Sequence, residues 1–344
     1  MLRACRRLFV TLLLVLFFTP LTEASDQSTK DSEGAPIDVV GKVVDHHELA
    51  VLGYYVPLPR IFLVEGDFFV YSSTESAIES GEFISKDGSL VPASGAEITM
   101  DFSITSHLMY VWFGLVLTVW ITVAMARRYK QGVGRKTEPK GWFQNLFEIV
   151  FVFVRDDIAK QNISDSKYQK FVPYLFTVFI GISFMNLFGL LPWGATATAD
   201  ITVTGVLAAF TFFITQWNGS KDHWEHVFWF PGVPGWMRII LTPIEIIGLF
   251  TKPFALAVRL FANMLSGKIM IICILGLIFI FADLFGSFAG IGMSLFAVPL
   301  TVALYVLKAF VGLLQAYIFT LLSAVFIGMA AEEHAHEEGI EAHA

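Results

Sequence analysis

Residues 252–285 read KPFALAVRLFANMLSGKIMIICILGLIFIFADLF, and residues 292–331 read GMSLFAVPLTVALYVLKAFVGLLQAYIFTLLSAVFIGMAA. From Ile239 to Ala331 the chain is almost wholly apolar, yet it holds Glu245, Lys252, Arg259, Lys268, Asp283 and Lys308. The Gly-rich segment 276–292 contains the turn of a helical hairpin. At about 1.5 Å per residue, the second arm of that hairpin is roughly 60 Å long. That is about twice the thickness of a bilayer's hydrocarbon core. The arm therefore either breaks near Pro299 or lies steeply tilted.

The rest of the chain agrees with a membrane fold. Hydrophobic residues make up 55% and charged residues 15% of 344, and Phe alone occurs 34 times. A soluble domain carries about 25% charged residues and could not bury this much apolar surface. The net charge of −7 points to no nucleic-acid partner, and two cysteines, Cys5 and Cys273, exclude a disulfide scaffold or a Cys-rich metal site. Working toward the N-terminus, the spans expected are about 201–217, 171–191 (stopping at Pro192) and 102–126, with Asp200 in the loop between the first two. The loop 218–235 carries turn chemistry at Phe230-Pro231-Gly232-Val233-Pro234-Gly235. Residues 142–160 (WFQNLFEIVFVFVRDDIAK) mix an apolar face with Glu148, Arg155, Asp156 and Asp157, which suits a helix lying on the interface.

Two signals set the orientation. Arg3, Arg6 and Arg7 precede an apolar run from Leu8 to Phe18, and Thr22-Glu23-Ala24 supplies small residues for cleavage, so residues 1–24 read as a signal peptide. A short uncleaved anchor is the alternative. Arg127, Arg128, Lys130, Arg135, Lys136 and Lys140 follow the 102–126 span and mark its cytoplasmic end. The expected organisation is a signal peptide (1–24), an extracytoplasmic N-terminal region (25–101), a membrane domain (102–331) and a cytoplasmic tail (332–344). The second of these opens with the polar run Ser25 to Ser32 and continues with β-like runs at 61–71 and 78–91, enough for a hairpin. Its His46-His47 pair, like His334, His336 and His343 in the acidic tail, lacks a ligand cluster around it and reads as solvated. The fold class is an all-α integral membrane protein of about five membrane helices. They include the long tilted C-terminal hairpin, and an interfacial helix and the small N-terminal region complete the chain.

The chemistry lies in the charges of the last third. An ionised side chain at bilayer depth costs about 2.5–3.5 kcal/mol on insertion scales, so several in one hairpin require a purpose. Glu245, Lys252, Arg259 and Ser266 fall seven residues apart, with Asn263 four after Arg259, and they form a polar stripe on one helix face. On the second arm Thr301, Lys308 and Gln315 repeat the spacing, with Gly312 between the last two. Lys252, Lys268 and Lys308 could snorkel toward the interface. Arg259 is flanked by apolar residues on both sides and has no acidic residue four positions away. Its guanidinium stays charged, so it requires an anion, from a partner subunit if this chain has none. Such a seam suits an ion pathway or a contact with another charged membrane component.

The segment Lys252-Pro253-Phe254-Ala255-Leu256-Ala257-Val258-Arg259-Leu260-Phe261-Ala262-Asn263-Met264 resembles the signature of the F-type ATP synthase subunit a family, as does Leu314-Gln315-Ala316-Tyr317-Ile318-Phe319-Thr320-Leu321-Leu322. Met185-Asn186-Leu187-Phe188-Gly189-Leu190-Leu191-Pro192 and Ala199-Asp200-Ile201 match as well, and the likeness covers about residues 98–333. The resemblance implies a non-catalytic stator in the bacterial inner membrane, with no cofactor or metal. Its partners would be a ring of c subunits, peripheral-stalk b subunits and an ATPase catalytic head. It implies that Arg259 faces carboxylates on the rotating ring, between two aqueous half-channels, and that Asn263 and Gln315 lie beside it. Glu245 and Lys252 would sit by the cytoplasmic exit. Lys268 and Lys308 stand where many bacterial members carry an acidic residue and His on the uptake side. As lysines they relay protons only if neutral or bridged by water, with Asp200 or Asp283 supplying an acid. A stand-alone secondary transporter or channel is the competing reading, but the chain lacks that class's internal repeat. A membrane enzyme is disfavoured by the absence of HExxH, GxSxG or a nucleotide-binding glycine loop.

Overall fold

The computed structural model describes residues 48–51, 54–86, 89–96, 98–131, 141–191, 194, 196–228 and 235–331. The expected signal peptide, the His46-His47 pair, Arg135, Lys136, Lys140, Pro192 and the tail 332–344 lie outside the described residues.

The segment before the first long helix is built from short strands. β1 (Glu48–Val51) pairs antiparallel with β2 (Tyr54–Pro57). β3 (Arg60–Val64) is the centre of a three-stranded antiparallel sheet between β4 (Asp67–Tyr71) and β7 (Ile98–Asp101), and β5 (Phe83–Lys86) pairs with β6 (Ser89–Pro92). The β-like 61–71 run thus forms a hairpin. Its two turn residues, Glu65 and Gly66, both adopt positive φ, as the tightest hairpin turns demand. The 78–91 run is only partly strand. Ser73 and Ser76 form a reciprocal capping box that starts a short helix, α1 (Thr74–Glu79), so Ile78 is helical. Phe62, Val64, Ala77, Phe83 and Leu90 make a small core, with Phe62 stacked on Phe83 at 4.9 Å between ring centroids.

β7 leads directly into the membrane domain. The backbone N–H groups of Phe102 and Ile104 donate to Ile61 and Pro59 on the β3 side, so these residues stay with the sheet. The first long helix, α2 (Ser106–Lys130), therefore starts later than the apolar run, N-capped by Thr105, and carries Arg127, Arg128 and Lys130 in its last turn. α3 (Trp142–Val152) continues through a π-helical segment, Phe153–Ala159, into Lys160–Asn162. This is the expected 142–160 helix, and Arg155 and Asp156 pair on it at 2.7 Å. Then follow α4 (Tyr168–Phe188), α5 (Ile201–Trp217), α6 (Lys221–Phe228, bent 105° from α5), α7 (Gly235–Phe285) and α8 (Ser287–Ala331). Among the described residues four helices are long and apolar enough to cross a membrane, or up to five if the bent α5–α6 pair is counted as one span.

The hairpin turns at Gly286, whose φ of 88° favours a residue without a side chain. Pro299 does not break the second arm: α8 runs 45 residues without interruption, roughly 68 Å at 1.5 Å per residue. Where no water competes for carbonyls, the helix remains the least costly backbone even with one donor missing. α4 occupies the centre of the bundle, with Leu175, Ile182 and Met185 packed among Leu256, Leu260, Phe319 and Ile327. Small residues set the close approaches: a Cβ on Gly114 would lie 3.1 Å from Met185 Cγ, and one on Gly312 3.3 Å from Asn186 Cβ.

Candidate functional site

The two stripes fold into different environments. On α8, Thr301, Lys308 and Gln315 are all buried, facing into the bundle. On α7, Lys252, Arg259 and Ser266 are exposed, while Glu245, Asn263 and Lys268 are half-buried. The stripes meet at one point, where Asn263 Nδ2 donates to Gln315 Oε1 at 3.4 Å. Arg259 sits one turn away, and among the described residues it forms neither a hydrogen bond nor an ion pair. Glu245, fourteen residues earlier on the same helix, is roughly 21 Å distant along the axis and out of reach.

The Gln315 amide nitrogen is buried without a hydrogen-bond partner among the described residues, and so is the Thr301 hydroxyl. Such atoms in a packed bundle mark places where water or a transient group supplies the missing bond. Lys308 is only 9% exposed, so it does not snorkel. Its stem crosses Gly267, where a Cβ would stand 3.3 Å from both Cδ and Cε, and its charge lies within repulsive range of Lys268. Asp200 Oδ1 accepts the Thr202 backbone N–H at 2.7 Å and caps α5, while Asp283 is exposed beside the hairpin turn. Among the described residues, neither forms an ion pair with Lys308.

Asn186 was given no role by spacing, yet it joins three elements. Its Nδ2 donates to the Gly312 carbonyl at 2.8 Å, and its Oδ1 accepts the Thr198 hydroxyl at 2.6 Å. The available signal was a lone carboxamide in the apolar 171–191 run, which is functional by default at membrane depth.

At the opposite end of the bundle, a cavity of about 330 Å³ opens between α5, α6, α7 and α8. Glu245 and Lys252 line it from α7, and Asp222, His223 and His226 from α6. Here the 105° bend after α5 matters, because it folds a polar helix across the mouth. His223 Nε2 lies 3.2 Å from Gln216 Oε1, and its backbone N–H donates to Ser220 Oγ. Burial pushes the His223 imidazole below its ordinary pKa, and the Lys252 charge adds to this while Glu245 opposes it. The α6 residues fall outside the seven-residue stripe because they belong to a separate short helix.

Residues 108–328 match the family described as ATP synthase A chain. The chain is 44% identical over 255 residues to the ATP synthase subunit a of Chloroherpeton thalassium, an alignment covering 71% of this chain and 70% of the relative. It is 44% identical over 256 residues to that of Chlorobium phaeobacteroides strain DSM 266, covering 71% and 70%. To that of Myxococcus xanthus it is 42% identical over 245 residues, covering 70% and 77%.

Proposed function

The chain belongs to the ATP synthase A chain family, the proton-translocating and non-catalytic stator of the F-type enzyme's membrane sector, and from that premise we propose which residues carry the proton. Arg259 is the fixed cation against which carboxylates on a rotating ring of c subunits are discharged. The observation that carries this reading is its position: a guanidinium exposed on the outer face of α7, among apolar side chains, with no anion of its own among the described residues. The stand-alone transporter falls away with the family assignment.

The physics is that of a charge gate. A fixed cation favours the ionised form of a passing carboxylate and so promotes proton release there. The same permanent charge repels a proton hopping directly between the two half-channels, so flow is tied to ring movement. Each charge that crosses gains about 2.3 kcal/mol per 100 mV of membrane potential. Asn263 and Gln315 fix the crossing of α7 and α8 beside the gate. Lys268 and Lys308 line the uptake side, where two neighbouring ammonium groups repel each other and one of them works as a neutral amine or through a bridging water. Glu245 and Lys252 line the release side, at the cavity beside α6. The orientation puts the 25–101 region outside the cell and the end of α8 in the cytoplasm, on the same side as the basic end of α2. The ring, the b subunits of the peripheral stalk and the catalytic head complete the assembly.

Arg259→Ala in the assembled complex is expected to abolish ATP-driven proton pumping into inverted membrane vesicles while leaving the subunit in the complex. Pumping at the unaltered rate overturns the assignment of the gate.

A further inference from the structure

We propose that His223 is a proton-relay residue at the cytoplasmic mouth, passing protons between the Glu245 end of the α7 seam and bulk water. The inference rests on the reading of the cavity beside α6 as the release half-channel. The cavity is walled by helices of unequal chemistry. α8 contributes only Phe326, Met329 and Ala330, whereas α7 contributes Glu245 and Lys252 and α6 contributes Asp222, His223 and His226. The ionisable walls are therefore α7 and α6, which face each other across the space.

Two features select His223 from this group. First, it is held in place: the Gln216 carboxamide at the end of α5 lies 3.2 Å from Nε2, and Ser220 Oγ accepts its backbone N–H at 3.1 Å. Ser220 is itself tied to the end of α8 through its N–H to the Ala330 carbonyl at 2.8 Å. The imidazole is thus held at the end of α5, and the backbone that carries it is tied through Ser220 to the end of α8. Second, its chemistry fits transfer in both directions. With Nε2–H donating to Gln216 Oε1, Nδ1 keeps a lone pair for an incoming proton, and the imidazolium so formed gives one proton back to water. One proton arrives and one leaves, with no other change. Lys252 and Glu245 on α7 and Asp222 and His226 on α6 are the charged and titratable groups around it. Burial and the Lys252 charge favour the neutral ring while Glu245 opposes them, which suits a group that must accept a proton before passing it on.

The test uses the whole ATP synthase in inverted vesicles, where this mouth faces the medium. His223→Gln is expected to slow ATP-driven pumping on the order of tenfold. This is less than the about hundredfold effect of a group in direct contact with its substrate, because water bypasses a relay in part. The rate should fall further as the medium is made alkaline. Millimolar imidazole in the medium should restore it, while an acetate buffer of equal strength should not. Retention of the subunit in the purified complex separates the relay from a folding defect. If His223→Gln destabilises the complex, His223→Asn is read the same way. Glu245→Gln is the companion variant. If it is impaired while His223→Gln and His223→Asn pump at the unaltered rate at every pH, the relay is refuted and the half-channel stands. If Glu245→Gln also pumps normally, the cavity is not the release path and both readings fall. A defect in His223→Gln that imidazole does not relieve assigns the residue a structural role and overturns the relay.

Discussion

α4 and α7 are built from nearly the same alphabet, with mean hydropathies of 1.8 and 2.5 over their most apolar stretches. In α4, 61% of that stretch is buried inside the subunit; in α7 only 11% is. The more hydrophobic helix is the more exposed one. Lipid tails are as apolar as leucine, so hydrophobicity alone does not decide which helix of a membrane bundle goes to the middle. Fit decides it. α4 approaches its neighbours at Gly114 and Gly312 and satisfies its polar atoms there, through Asn186 and through Tyr174, whose hydroxyl lies 2.7 Å from Thr211 Oγ1. α7 keeps Arg259 and Lys252 on an outward face and packs mainly along α8 and α5. One helix is the subunit's core, and the other presents most of its apolar surface outward.

That contrast can be broken at either end. The largest effect is expected at Arg259: a lysine there keeps a charge but loses the planar, permanently protonated fork, and pumping should fall by about a hundredfold or more with the complex intact. Proton uptake followed with a pH-sensitive dye in inverted vesicles checks it. Next, Leu175→Ala in α4 should lower stability toward heat or denaturant by about 2 kcal/mol. This is the low end for such a truncation, because in a membrane the loss is one of packing more than of transfer from water. Phe254→Ala on the outward face of α7 should leave that stability within about 0.5 kcal/mol of the parent and instead weaken retention of the c ring on purification. Equal effects of these two truncations would erase the distinction between core and interface. Gly328→Ala should cost about 1–3 kcal/mol, because a Cβ there collides with the Asn162 carbonyl and pushes α8 off the Lys160–Asn162 turn that follows the π-helical segment. The smallest effect belongs to Tyr174→Phe: losing one interhelical hydroxyl bond should cost about 0.6 kcal/mol, near the average for such bonds in membranes.

The site was legible where it depends on position along one helix. Seven-residue spacing put Glu245, Lys252, Arg259 and Ser266 on one stripe, and the absence of a nearby carboxylate isolated Arg259. It was not legible where it depends on what lies opposite. Spacing describes Lys308 and Arg259 alike as cations in apolar helices. Only packing separates them, by seating Lys308 against Gly267 and turning Arg259 outward. Asn186 and His223 escaped the pattern because the groups around each lie on other helices, Gly312 in one case and Glu245 and Lys252 in the other. A break at Pro299, one of the two alternatives the sequence leaves open, is absent because α8 continues through the proline.

By itself the sequence determined that this is a membrane protein with a hairpin too long to stand upright and an arginine with no acidic residue close to it along the helix. Those conclusions follow from solvation, which acts residue by residue and is therefore readable along the chain. The tertiary structure alone decided which stripe faces in and which faces out, where α8 crosses α7, and that a bent helix closes a polar cavity at one end. These depend on distances between residues far apart in sequence, and only close packing sets them.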